Sequence, residues 1–148
     1  MAQIAKRSGF TLIELVIALV IVAITALFGL ASYRRYLVRS YRLEAVQGLL
    51  TIAAEQEKFH LGNGRYSDRL DCKDDDVPPG LPVSSLTPHG RYRMTVEFAD
   101  AATFRLVALP RADGGQIDDK ACRQFSIDES GRREARDSTG SDSTNRCW

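Results

Sequence analysis

The chain has 148 residues, room for one membrane-length helix and one modest globular domain. Its 20 Lys and Arg stand against 19 Asp and Glu, a net charge of +1, so no overall field draws it to nucleic acid and no nucleic-acid partner is expected. Residues 32–148 carry 18 basic and 18 acidic side chains, which leaves open only local patches.

Residues 1–9 form a short basic leader, and Lys6 and Arg7 favour a cytoplasmic amino end. From Phe10 to Ala31 the chain is apolar, with Glu14 its only charged side chain. About 20 residues suffice to cross ~30 Å of hydrocarbon as a helix. An acid inside such a helix costs at least ~2.5–3.5 kcal/mol, so a lone one points to function. A cation becomes available if the peptide bond after Gly9 is cut, because Phe10 then carries a free α-amino group. Between parallel helices shifted along their axes, that amine can meet the Glu14 of a neighbour. Such a contact neutralises both charges and fixes a stagger between subunits.

Lys6-Arg7-Ser8-Gly9 followed by Phe10-Thr11-Leu12-Ile13-Glu14-Leu15 resembles the class III signal of the type IV pilin family and its pseudopilin relatives. The resemblance implies cleavage between Gly9 and Phe10 by a prepilin peptidase, N-methylation of Phe10, and assembly into a helical fibre through Glu14. It also implies a single-pass stay in the bacterial inner membrane, amino end in the cytoplasm and globular domain in the periplasm. The implied partners are membrane lipid, an inner-membrane assembly platform and other pilin subunits, major and minor; export to the extracellular pilus follows.

Past Ser32 the helix is expected to continue to about Leu61, since residues 32–61 hold no Pro and only Gly48 among glycines. A helix from Phe10 to Leu61 is ~78 Å long at 1.5 Å per residue. Leu43, Val46, Leu50, Ala53 and Ala54 fall at three- and four-residue spacings and predict the stripe that packs on a folded partner. Tyr33 and Tyr36 suit the exit from a bilayer; Arg34, Arg35, Arg39 and Arg42 read as headgroup contacts, partners for acids on neighbours, or a solvated face. Many type IV pilins carry Pro where this chain has Ala31, although Gly29 still supplies a weak point. The helix is expected to end at Leu61-Gly62-Asn63-Gly64, and Phe59 to Ser67 resembles the corresponding exit in pilins.

Residues 62–89 hold Cys72, the acidic Asp74-Asp75-Asp76 and four prolines (Pro78, Pro79, Pro82 and Pro88), which predicts an irregular loop. Alternation then predicts strands around Tyr92–Phe98, Phe104–Ala108 and Phe125–Ile127, an antiparallel meander spanning residues 90–128. The polar tail 129–148 has too little apolar content to order itself. The expected fold is α+β, the type IV pilin fold: a long amino-terminal helix whose amphipathic distal half (32–61) packs on a small antiparallel sheet, with 10–31 as the membrane or fibre-core half.

Three cysteines permit three pairings, and the residues alone do not choose. The resemblance implies a disulfide-bounded carboxyl end, Cys122 with Cys147, and Cys147-Trp148 is similar to the terminus of PilE-type minor pilins. That bridge closes a loop of about 26 residues, worth ~3.5 kcal/mol in the entropy picture. Cys72 is then left over; Cys72 with Cys122 or Cys147 is the alternative.

No catalytic site is expected. His60 and His89 have no nucleophile motif around them, and Gly62-Asn63-Gly64 lacks the Lys and the strand of a phosphate loop. No cofactor or metal site is expected either: Asp71, Asp74, Asp75 and Asp76 lack calcium-loop spacing. Arg123, Arg132, Arg133, Arg136 and Arg146 are matched by Asp128, Glu129, Glu134, Asp137 and Asp142, a balanced surface. The expected function is a structural subunit of a type IV pilus, a minor one of the PilE type, supporting biogenesis, adhesion or twitching. The alternatives are a pseudopilin of a type II secretion system and a DNA-uptake or adhesive fibre subunit.

Overall fold

The computed structural model describes residues 10–73 and 75–148; Gly9 and Asp74 lie outside that range. Two units meet at Leu37 and Val38. Helix α1 runs Leu12–Asn63. Thr11 starts it, its Oγ1 accepting from Glu14 N at 3.3 Å and its carbonyl from Leu15 N at 3.2 Å, which satisfies groups a helix start leaves unpaired. Gly64 ends it at φ 68°, donating its N–H to the His60 carbonyl at 2.8 Å, as the Gly-Asn-Gly exit predicts.

In the second unit α1 buries Ala45, Leu49, Ile52 and Gln56, spaced by four, three and four residues. This differs from the stripe expected from sequence. Val46 and Ala53 pack at its margin, whereas Leu43 stays 61% and Leu50 37% exposed. Leu43 and Ala45 lie about 200° apart around a helix, so α1 is apolar on two faces and spacing cannot say which one meets the sheet. Gln56 decides it. Its amide donates to the Ser67 carbonyl at 2.6 Å and accepts from the Ser67 N–H at 2.8 Å, so a polar side chain closes the buried row.

Among the described residues, 64–91 form no regular element besides the isolated bridge from Leu86 to Arg93. The loop doubles back on itself through Asp71 N to Val83 O, Cys72 N to Leu81 O and Leu81 N to Arg69 O, all 3.0–3.1 Å. This places Leu81 in the core. The sheet follows, antiparallel in the order β1 (Tyr92–Ala99), β2 (Phe104–Pro110), β3 (Gln124–Asp128) and β4 (Arg133–Arg136). Leu106 pairs with Ile127, Ala108 with Phe125, and Phe125 with Ala135; these face the core with Tyr92, Met94 and Phe104. A bulge between Val96 and Phe98 interrupts the pairing of β1, the outermost strand, with β2, a place where bulges are common.

β4 lies inside the stretch expected as tail. The rest of that tail is ordered too, by the one-turn α2 (Thr144–Cys147) and the Cys122–Cys147 disulfide. Trp148 packs on Phe125 and donates from Nε1 to the Glu134 carbonyl at 2.8 Å. Cys72 is a buried free thiol.

Candidate assembly site

In the first unit α1 is long and apolar enough to cross a membrane. Phe10, Leu12, Ile13, Leu15, Val16, Ile17 and the large apolar residues that follow to Leu27 and Leu30 expose about half of their surface or more. Thr25 turns its hydroxyl back onto the carbonyls of Ile21 and Val22, at 3.0 Å each, so it brings no unpaired polar group into the apolar surface. Glu14 is exposed, and its carboxylate makes no ion pair or hydrogen bond among the described residues. Thr11-Leu12-Ile13-Glu14 has the spacing of a capping box, a signal that would have located the helix start from sequence. Glu14 therefore sits in the first turn with its acid unspent. Gly9, the other half of the expected processing junction, lies outside the described residues.

In the second unit both histidines make polar contacts. His60 Nε2 meets the Ala101 carbonyl at 2.9 Å, and its ring stacks on Tyr66. His89 Nδ1 meets Glu44 Oε1 at 2.6 Å. Among the described residues no group of His, Cys, Asp and Glu gathers as metal ligands; Asp71 Oδ1 caps Ser85 N and Asp76 Oδ2 caps Lys73 N, both at 2.9 Å.

Arg123 donates from Nη1 to the Ile117 carbonyl, and other arginines near the sheet differ in whether they are paired. On the outer sheet face Arg105 bridges Glu97 at 3.1 Å and Glu134 at 2.7 Å, and Arg132 holds Asp128 at 3.0 Å. The Arg105 hydrogen bond keeps the Glu134 carboxyl below its ordinary range. Burial works to raise Asp128, but bonds from Ser130 and Arg132 outweigh it and hold that carboxyl low as well. Arg133, Arg136 and Arg146 have no carboxylate within ion-pairing distance among the described residues. Arg133 lies over the Trp148 ring, 5.4 Å from its centre. Arg132, Arg133 and Arg136 line a shallow cleft of about 460 Å³ together with the carboxylates of Glu134 and Asp142.

Sequence reasoning missed two contacts of this unit, Gln56 with Ser67 and Arg42 with Asp119. The second is a two-pronged ion pair across 77 positions, at 2.6 and 2.7 Å, and no local pattern announces it.

Comparison with known proteins gives two family matches. Residues 4–30 match the prokaryotic N-terminal methylation motif. Residues 31–126 match the family described as "Type IV minor pilin ComP, DNA uptake sequence receptor". Two fimbrial proteins of Dichelobacter nodosus are each 34% identical over 91 residues, which is 60% of this chain and 51% of theirs. The chain thus spans about half the length of these relatives. Among solved structures it is similar to the non-core minor pilin PilV of Neisseria meningitidis, with TM-score 0.49 and 19% identity over 70% of this chain and 91% of that one. It is also similar to a type IV pilin of Shewanella oneidensis, with TM-score 0.43 and 23% identity over 75% and 97%.

Proposed function

Because the chain belongs to the type IV minor pilin family, whose model covers residues 31–126, we propose that it is a pilus subunit held in the bacterial inner membrane by α1 until it is built into the fibre. A prepilin peptidase cuts between Gly9 and Phe10 and methylates the new amine. An inner-membrane platform then moves α1 out of lipid and against other pilin subunits. There Glu14 receives the amine of a neighbour, which sets the stagger. The observation that carries this reading is the exposed apolar helix with one unpaired acid in its first turn. Apolar surface of that size needs either lipid or other helices. The Cys122–Cys147 bridge supports a pilus in preference to a secretion pseudopilin. As a minor subunit the protein serves biogenesis, adhesion or twitching.

The test is mass spectrometry of protein from sheared fibres. A mature chain starting at N-methylated Phe10 is expected there, alongside a more abundant major subunit. A chain retaining Met1, absent from fibres, would overturn the reading.

A second reading is contact with duplex DNA, given the description of the matched family. Its structural support is Arg133, Arg136 and Arg146, cations without a carboxylate partner among the described residues; these lie beyond the matched segment. Binding through them should weaken as salt rises, with a slope near one per phosphate contact. A triple Arg-to-Ala variant that binds duplex as well as the unaltered chain would dismiss it.

A further inference from the structure

Between β2 and β3 the chain leaves the sheet and lies against the first turns of α1 within the second unit. From Ala112 to Cys122 this loop buries only Gln116, Asp119 and Cys122 among its side chains, apart from the buried Gly114. It has no fully buried aliphatic or aromatic anchor. Two of the three are polar and reach the helix. Asp119 grips Arg42 with both oxygens, Nε to Oδ2 at 2.6 Å and Nη2 to Oδ1 at 2.7 Å. Gln116 Nε2 donates to the Val38 carbonyl at 3.2 Å and to Asp119 Oδ2 at 3.3 Å. A carbonyl has two lone pairs, so Val38 can accept Gln116 without giving up its helical bond. The third buried side chain is Cys122, three residues beyond Asp119 and joined to Cys147.

The disulfide belongs to the same construction. Cys147 sits on α2, which is tied to the sheet by Ser143 N to Ala135 O and Ala135 N to Thr144 Oγ1, both 2.9 Å. The outgoing arm of the loop is tied to the same region by Ser138 N to Lys120 O at 2.9 Å and Arg123 N to Arg136 O at 2.8 Å. The incoming arm rests on Arg111 N to Arg91 O at 2.9 Å. A loop held by polar fingers loses its grip more readily once hydrogen bonds alone hold its outgoing arm, because each finger must beat the entropy of ordering the chain that bears it.

We propose that residues 112–122 form a clasp on α1, fastened by the Cys122–Cys147 bond. Closing the bond fixes Asp119 and Gln116 on the turn Val38–Arg42 and makes that turn part of the ordered unit. Opening it releases the turn while the sheet and the helix from Leu49 onward stay folded. In closing, the two thiols give up two protons and two electrons. A disulfide donor of the oxidising compartment accepts them and leaves as a dithiol. The grip on the helix thus follows oxidation, and a subunit still reduced keeps a loose helix base.

Hydrogen exchange read by mass spectrometry on the full chain in detergent micelles tests this. Three samples are compared: oxidised, reduced with a phosphine, and oxidised Arg42→Ala. Reduction should speed exchange at Val38–Glu44 tenfold or more, with less than twofold change at Leu49–Gln56 and in β2. Arg42→Ala should reproduce that local change with the disulfide intact, and Arg42→Lys, which keeps one donor, should fall between. Unchanged exchange at Val38–Glu44 on reduction would overturn the proposal. So would an equal rise across α1 and β2, or an Arg42→Ala protein indistinguishable from the unaltered chain.

Discussion

Gln56 and Ser67 form a closed pair: the amide oxygen of Gln56 takes the Ser67 N–H at 2.8 Å while its nitrogen gives to the Ser67 carbonyl at 2.6 Å. Gln56 is fully buried and Ser67 nearly so. The side chain therefore does for Ser67 what a neighbouring strand would do, at the point where the chain leaves α1 for the loop. Replacing it leaves a buried N–H and a buried carbonyl without partners, at about 1–3 kcal/mol each. Gln56→Ala should lower unfolding free energy by about 2–6 kcal/mol in denaturant titration. Gln56→Glu should not rescue it, because a carboxylate cannot donate to the Ser67 carbonyl. A loss below about 0.5 kcal/mol would show that water replaces the amide freely.

Tyr92 offers the opposite case. Its ring is buried edge-on to Phe125, and its buried hydroxyl, beside the Gln116 amide, makes no well-formed hydrogen bond among the described residues. Burial pushes the phenol up to about 12. Tyr92→Phe removes an unpaired polar group and keeps the ring, so the domain should be as stable as before or more stable by up to about 2 kcal/mol. A loss above about 1 kcal/mol in the same titration would mean that the hydroxyl is satisfied after all.

Acid should weaken the domain in a definite window. Hydrogen bonds hold Asp100, Asp137 and Asp142 low, Asp137 and Asp142 chiefly through the hydroxyls of Thr139 and Thr144. Glu134 and Asp128 are low as well. With folded values below unfolded ones, the unfolded chain binds more protons, so stability is whole above the ordinary carboxylate range near ~4 and is lost as pH falls through the folded values. Thermal midpoints should be level from pH ~7 to ~5 and fall below ~4. Asp128→Asn should flatten part of that fall; a midpoint that rises on acidification would contradict the assignment.

Much of this architecture is legible from local pattern. Unbroken helix formers to Leu61, then Gly-Asn-Gly, place the end of α1, and alternation from Tyr92 to Phe98 and Phe104 to Ala108 places β1 and β2. β4 is not legible, because Arg133-Glu134-Ala135-Arg136 offers one apolar residue and hence no alternation. Its pairing to β3 and the cover of Trp148 make it a strand. The face of α1 was open for a related reason: Leu43 and Leu50 satisfy helical spacing as well as Ala45, Leu49 and Ile52 do. The buried face also carries a polar contact, Gln56 with Ser67, that lies outside any hydrophobic count. Of the assembly site, the apolar run and Glu14 are plain in sequence, whereas the clasp partners Arg42 and Asp119 meet only through the fold.

The most direct test of the assembly account is replacement of Glu14 in a strain that makes fibres. The second unit begins at Val38, so Glu14→Ala should leave its fold intact, and removing an acid from the apolar segment should ease insertion. On the proposed reading, the variant loses the partner for a neighbour's amine, which is then buried unpaired at about 3–5 kcal/mol. Immunoblots of membrane and sheared-fibre fractions should find the variant processed and present at ordinary level in the membrane but depleted at least tenfold from fibres, with Glu14→Gln depleted less. Glu14→Ala recovered in fibres at the level of the unaltered chain would contradict the account.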